Sequence, residues 1–138
     1  MARKEFNFAF STRVRYADID YQGIMFNAAY LAYFDTAITE FFRARKFNNP
    51  AYTRSTDIDF HVVRALVEYK KPVTHDAEID ILVRVARIGK SSLTFNLEIH
   101  PAGNEAILTT GEIVYVHTHR QSHRAVPIGD DLRTLLLD

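Results

Sequence analysis

Two aspartates two residues apart, Asp18 and Asp20, stand in a polar turn between a strand-like run and a helix-like one. Tyr16 precedes them, and Gly23 and Asn27 follow. This cluster has the parts needed for acyl transfer to water. Asp20 lies a few residues before a helix N-terminus, where unpaired backbone amides polarise a carbonyl and stabilise an oxyanion. A carboxylate beside such amides attacks the carbonyl or activates water. Gly23 supplies either a positive φ or room for a close backbone approach. The same residue types also build ordinary turns and caps, so spacing alone leaves both readings open.

The elements that must position this cluster follow from hydrophobic period. Residues 7–16 read as a strand, with Phe6, Phe8, Phe10, Val14 and Tyr16 on one parity. From Asn27 to Lys46 the period becomes helical, with Tyr30, Phe34, Ala37, Ile38, Phe41 and Phe42 three and four apart. Asn27 is the expected N-cap, and Arg43, Arg45 and Lys46 suit the carbonyl end of the dipole. Tyr33 and Leu31 widen the apolar face to more than half the circumference, so other structure must surround this helix. After a loop at Asn48-Asn49-Pro50 the period is two to the end, over 61–70, 78–85, 92–99 and 106–119, with a turn at Pro101-Ala102-Gly103-Asn104. Short links imply antiparallel neighbours. The expectation is an α+β fold, a curved antiparallel sheet of about five strands wrapped around one long α-helix.

Composition bounds the functions. A chain of 138 residues suits one domain spanning 1–138. Lys plus Arg equals Asp plus Glu at 17 each, which argues against a generic nucleic-acid binder. With no Cys there is no disulfide scaffold, thiol nucleophile or Cys-ligated metal. No apolar run is long enough to span a membrane. The first eight residues lack the apolar core of a signal peptide, so a cytoplasmic protein is expected.

The run from Arg15 to Asp35, RYADIDYQGIMFNAAYLAYFD, resembles the signature of hot-dog-fold acyl-CoA thioesterases. It is most similar to the 4-hydroxybenzoyl-CoA thioesterase type, with the Tol–Pal-associated short-chain branch beside it. Strand, D-x-D-x-x-G, then a helix opening on Tyr-Leu and aromatics is the shared pattern, and the later strand order agrees. The resemblance implies that Asp20 is the catalytic carboxylate, as nucleophile or general base, and that Gly23 is the turn glycine. It implies that the backbone amide at Asn27 faces the thioester oxygen and that Tyr16 lies near the carboxylate. Where many members carry Gly-His-Val-Asn-Asn, this chain has Gly23-Ile24-Met25-Phe26-Asn27. The absent His removes one acid/base candidate and leaves the carboxylate mechanism intact.

The substrate implied is an acyl-CoA or aryl-CoA ester, with no cofactor. Its phosphates need cationic partners. The family places them at the turn after the third strand, here Arg87, Gly89, Lys90 and Ser91, with Gly89 and Ser91 offering amides and a hydroxyl. Tyr69-Lys70-Lys71-Pro72 and Arg64 are weaker candidates. Outward apolar positions such as Val62, Leu66 and Leu82 point to a homo-oligomer, a tetramer built from dimers, in which such groups converge from different chains. His117 and His119 share a strand face, but no carboxylate nearby in sequence completes a ligand set and no metal is expected. Asp35 aligns with a common acidic helix position. The rival functions are an acyl-binding hot-dog protein, a thioesterase acting on acyl-carrier protein, and a non-enzymatic assembly module.

Overall fold

Alternating side chains build the first strand, β1 (Phe8–Arg13), whose Phe8, Phe10 and Thr12 are the half-buried set. This computed structural model describes residues 2–137. The long helix α1 (Ala29–Ala44) follows, then a short helix α2 (Asn49–Thr56). Strands β2 (Ile58–Tyr69), β3 (Glu78–Ile88), β4 (Ser92–Pro101) and β5 (Thr109–His119) come next, and helix α3 (Asp130–Leu137) ends the described chain. The five strands form one antiparallel sheet in the order β1-β3-β4-β5-β2. The expected sheet and long helix are therefore present.

The helix buries its apolar stripe on one face of the sheet. Phe34, Ala37, Ile38 and Phe41 pack with Ile81, Val83, Phe95, Leu97 and Ile113 in one core. Phe41 meets Phe95 and Phe8 edge to face at 5.5 and 5.8 Å between centroids. The helix comes close to the sheet at Gly111 on β5. A Cβ there would lie 2.5 Å from the fully buried Phe34 ring. That position needs a glycine for space, and the helix axis is set by it.

Four local expectations differ from the structure. The first strand stops at Arg13, because residues Tyr16–Asp18 turn into a 3-10 helix that takes Tyr16 outward. The long helix starts at Ala29 with Ala28, not Asn27, as its cap, and no side chain caps it. Asn27 Oδ1 instead accepts from the adjacent Ala28 N–H. Helix α2 occupies a stretch expected to lead into strand. Asn48 accepts from the Ala51 N–H and Pro50 sits in the first turn, which together are a helix-start signal. Helix α3 rests on Leu132 and Leu136, buried and four apart, with Asp130 and Asp131 in its first turn.

Both faces of β3 are buried over 79–83. Leu82, one of the outward apolar positions expected to point to a partner subunit, is already covered in the single chain. Val62 and Leu66, on edge strand β2, are exposed with Val63, which is 60% accessible. Among the described residues, no helix is long and apolar enough to cross a membrane.

Replacing Gly111 by Ala forces the Phe34 ring or β5 to move. We expect Gly111→Ala to destabilise the fold by about 1–3 kcal/mol, read as a lower urea midpoint at unchanged slope.

Candidate active site

The site grows from the loop between β1 and α1. Gly23, at φ +82°, turns the chain back, and a Cβ there would meet nothing within 4 Å. The glycine is thus needed for its conformation, not for a close approach. The turn closes as Gly23 N–H donates to the Asp20 carbonyl and Asp20 N–H donates to the Ile24 carbonyl, both at 3.0 Å. The Asp20 carboxylate accepts from the Gln22 N–H at 2.8 Å. Ile24 bridges to Thr74 and the Met25 N–H donates to the Val73 carbonyl, so this loop is stitched to the chain entering β3.

A cleft of about 440 Å³ opens beside it. Asp20, Gln22, Ile24, Met25 and Asn27 form one wall, and Tyr69, Lys70, Lys71 and Pro72 the other, with Tyr30 between. The lining is more apolar than polar, and Lys70 and Lys71 are its two cations. The Tyr69 hydroxyl donates to the Asn27 carbonyl at 3.1 Å and its ring meets Tyr30 edge to face, 4.8 Å between centroids. Burial pushes the Tyr30 phenol above its ordinary range.

The backbone at Asn27 presents an amide at the helix entry. The Phe26 carbonyl accepts from the Ala29 N–H at 2.9 Å, inside the first helical turn. No peptide bond in the described chain is cis. A trans peptide sets N–H opposite C=O, so the Asn27 N–H points away from the helix. Among the described residues it joins no backbone–backbone hydrogen bond. A preorganised donor of this kind is what a tetrahedral intermediate needs.

The two aspartates have separate fates. Asp18 accepts from the Tyr33 hydroxyl at 2.6 Å and from the Arg15 guanidinium at 3.0 Å. The Tyr33 hydroxyl in turn accepts from the Arg15 N–H at 3.1 Å. Asp18 is therefore a bracket for the loop. The Tyr33 hydrogen bond, assisted by Arg15, holds its carboxyl below the usual aspartate range against the opposing effect of burial. Asp20 is the carboxylate that lines the cleft.

The structure brings together Asp20, Gly23 and Asn27, with Lys70 and Lys71. It does not bring Tyr16 to Asp20. Tyr16 is 81% exposed, lies outside the cleft and packs edge to face on His75. The 3-10 turn at Tyr16–Asp18 is the reason, since it breaks the strand parity that would carry the ring inward. Tyr33 takes the tyrosine–carboxylate contact, on Asp18. A tyrosine instead of phenylalanine on a buried helix face is the signal for such a contact, because a buried hydroxyl needs a partner.

Arg87, Gly89, Lys90 and Ser91 lie elsewhere. Eleven residues of β3, at about 3.3 Å each, put roughly 30 Å between this turn and the strand end beside the cleft loop. The Gly89 amide does not face outward as expected, because it donates to the Ser92 carbonyl at 2.8 Å. The Lys90 and Ser91 carbonyls accept from Ile128 and His117, and Arg133 of α3 clasps the Gly89 carbonyl at 2.6 Å. Arg87 and Lys90 keep exposed side chains.

His117 is buried against Phe60, with Nε2 on the Tyr52 hydroxyl at 2.8 Å and Nδ1 on the Val126 carbonyl at 2.9 Å. It ties α2 to β5. Among the described residues, no three His, Cys, Asp or Glu side chains gather as a metal site. Asp35 lines a separate cavity of about 890 Å³ with Phe42, Val62 and Tyr115, and burial raises the pKa of both Asp35 and Tyr115.

The thioesterase-like superfamily pattern matches residues 14–136. A curated relative, the acyl-CoA thioester hydrolase YbgC of Escherichia coli O6:H1, is 30% identical over 122 residues, 87% of this chain and 90% of its own. A putative esterase of Aquifex aeolicus is 31% identical over 91 residues, 64% of this chain and 69% of its own. Among solved structures, a Pseudomonas aeruginosa protein superposes with TM-score 0.86 at 29% identity, over 98% of this chain and 92% of its own. A 1,4-dihydroxy-2-naphthoyl-CoA thioesterase from Synechocystis reaches TM-score 0.86 at 15% identity, over 94% of each chain, which speaks for the fold alone.

The Asp18 bracket has a pH signature. A carboxyl with a depressed folded-state pKa adds stability above its unfolded value, near 3.9, and loses it as pH falls through the folded value. Tyr33→Phe should destabilise by roughly 1–2 kcal/mol near neutral pH. Urea unfolding across acid pH should show its gap to wild type narrowing below about pH 4.

Proposed function

The chain belongs to the thioesterase-like superfamily, and from that premise we propose that it hydrolyses an acyl-CoA or aryl-CoA thioester in the Asp20 cleft, releasing a carboxylic acid and free CoA. The observation that carries this reading is one cleft lined by a carboxylate and by the residue whose free helix-entry N–H points away from the helix, Asp20 and Asn27. The thioester oxygen sits on the Asn27 N–H and the carbonyl carbon faces the Asp20 carboxylate. By one route an Asp20 oxygen bonds to that carbon, the tetrahedral intermediate expels CoA thiolate, and water then cleaves the aspartyl anhydride. By the other, Asp20 takes a proton from water as the water attacks. In both routes negative charge grows on the oxygen held at Asn27, and the thiolate leaves to be protonated as CoA. Gly23 holds the turn that places Asp20. The apolar side chains of Ile24 and Met25 suit the acyl or aryl group, and the E. coli relative named as an acyl-CoA thioester hydrolase supports the substrate class.

The substrate's phosphates meet Arg87 and Lys90 of a second subunit. In a single chain these residues stand at the far end of β3 from the cleft, while β2 carries the exposed apolar residues Val62, Val63 and Leu66 along a free edge. An unpaired apolar edge is a template for self-pairing. The working unit is a cytoplasmic homo-oligomer, a tetramer built from dimers.

Two experiments test this. Asp20→Asn should lose at least about 100-fold in turnover while unfolding at the wild-type midpoint, measured by thiol release from a panel of acyl- and aryl-CoA esters. Full activity in that variant sinks the role of Asp20. Thiol release from no CoA ester by wild type would favour an acyl-binding protein or an acyl-carrier-protein substrate. In the second experiment, Asp20→Asn chains are refolded together with chains carrying Arg87→Ala and Lys90→Ala, each nearly inactive alone at limiting substrate. Random dimers should recover about a quarter of wild-type rate. No recovery overturns the shared site.

A further inference from the structure

The helix that supplies the oxyanion donor begins without a side-chain cap. A cap normally fixes the first turn by accepting its free amides. Here Ala28 occupies the cap position and has no side chain to do so. Among the described residues, the backbone bonds that tie the entry outside the helix's own ladder are Phe26 N–H to the Asp18 carbonyl and Ala29 N–H to the Phe26 carbonyl, plus the short Asn27 side-chain contact to Ala28 N–H. An oxyanion donor must be held to within about 0.5 Å to work. Among the described residues, one side chain from outside the loop hydrogen-bonds to residues 26–29, and it is Tyr69.

Tyr69 is built to hold still. It is the last residue of β2, paired with Thr109 of β5. The two amides after it, Lys70 and Lys71, both donate to the Leu108 carbonyl at 2.9 and 3.0 Å. Its ring stands on Tyr30, which is 2% exposed and rooted in the core. Its hydroxyl therefore arrives at the Asn27 carbonyl from a rigid base, although the side chain as a whole is half exposed. A hydrogen bond from a half-exposed side chain adds little to fold stability, because water competes for both partners.

We propose that Tyr69 is a positioning residue for the oxyanion hole: its hydroxyl donates to the Asn27 carbonyl and, from the end of β2, fixes a helix entry that has no side-chain cap. With Phe26 N–H anchored on one side and the Asn27 carbonyl on the other, the intervening Asn27 N–H keeps one direction. Tyr69 touches no reacting atom and takes no proton. The inference rests on the hydrolytic reading of the cleft.

Tyr69→Phe keeps the ring on Tyr30 and removes only the grip. Removing an oxyanion donor outright lowers kcat about 10²–10³-fold, and loosening one should lower it about 5–20-fold. KM for the acyl-CoA ester and inhibition by free CoA, which has no oxyanion, should stay within about twofold. The thermal midpoint and the pH dependence of kcat should not move. A rise in KM or in the CoA inhibition constant at constant kcat would make Tyr69 a binding residue, and a displaced pH profile would make it an acid or base. Either result, or an unchanged kcat, overturns the proposal. Amide hydrogen exchange at residues 26–29 gives a readout that needs no turnover. It should speed up about tenfold in Tyr69→Phe if the grip is real, and unchanged exchange overturns the proposal whatever the enzyme hydrolyses. Faster exchange with no thiol release from wild type would instead fault the hydrolytic reading.

Discussion

The contact between Phe34 and Gly111 governs where everything else can be. A buried aromatic ring lies on a strand position that has no room for a Cβ, so α1 is set on the sheet at one height. Close-packed interiors do not tolerate sliding. Tyr30 lies one turn before Phe34 on the same helix face, and that fixed height brings its ring against Tyr69 at the end of β2. Tyr33, beside it, reaches back to Asp18 and to the Arg15 backbone. One steric contact in the core thus sets the position of the helix entry, of both tyrosines and of the cleft between them.

From that base the loop separates two similar groups into different tasks. Asp18 and Asp20 are two residues apart, yet Tyr33 and Arg15 engage one while the other opens on the cleft. Environment, not residue type, divides their roles. The bracketed carboxylate keeps the turn in place, and the turn holds its neighbour on the wall of the cleft. Gly23 contributes by its backbone conformation, which closes the loop and lets Ile24 and Met25 tie it to the segment before β3.

The other half of the chemistry is a matter of distance. The long β3 strand separates the Arg87–Ser91 turn from the cleft, and Arg133 of α3 holds that turn from behind. The Gly89 amide is engaged internally by the Ser92 carbonyl, while the Arg87 and Lys90 side chains stay exposed. Lys70 and Lys71 give the cleft its own positive rim. In a single chain the Asp20 carboxylate and the Arg87 and Lys90 cations thus stand at opposite ends of β3.

Period and composition determined much of this protein. The alternation over four later segments and the three-and-four spacing from Tyr30 to Phe42 placed the sheet and the long helix. Spacing left the Asp20–Gly23–Asn27 loop open to a plain turn, and the family resemblance singled it out; Asp20 and Asn27 line the cleft. These features are local, and short-range backbone physics carries them. The small helices α2 and α3 were legible in principle, through Asn48 with Pro50 and through the Leu132–Leu136 spacing, but eight residues give a weak period. Tertiary structure alone decided the rest. It turned Tyr16 outward, gave Tyr33 to Asp18, enclosed His117 between Tyr52 and Val126, and set Tyr69 on a carbonyl 42 residues away. A polar side chain's partner depends on which elements the core brings together, and the core is specified by the packing of residues distant in the chain.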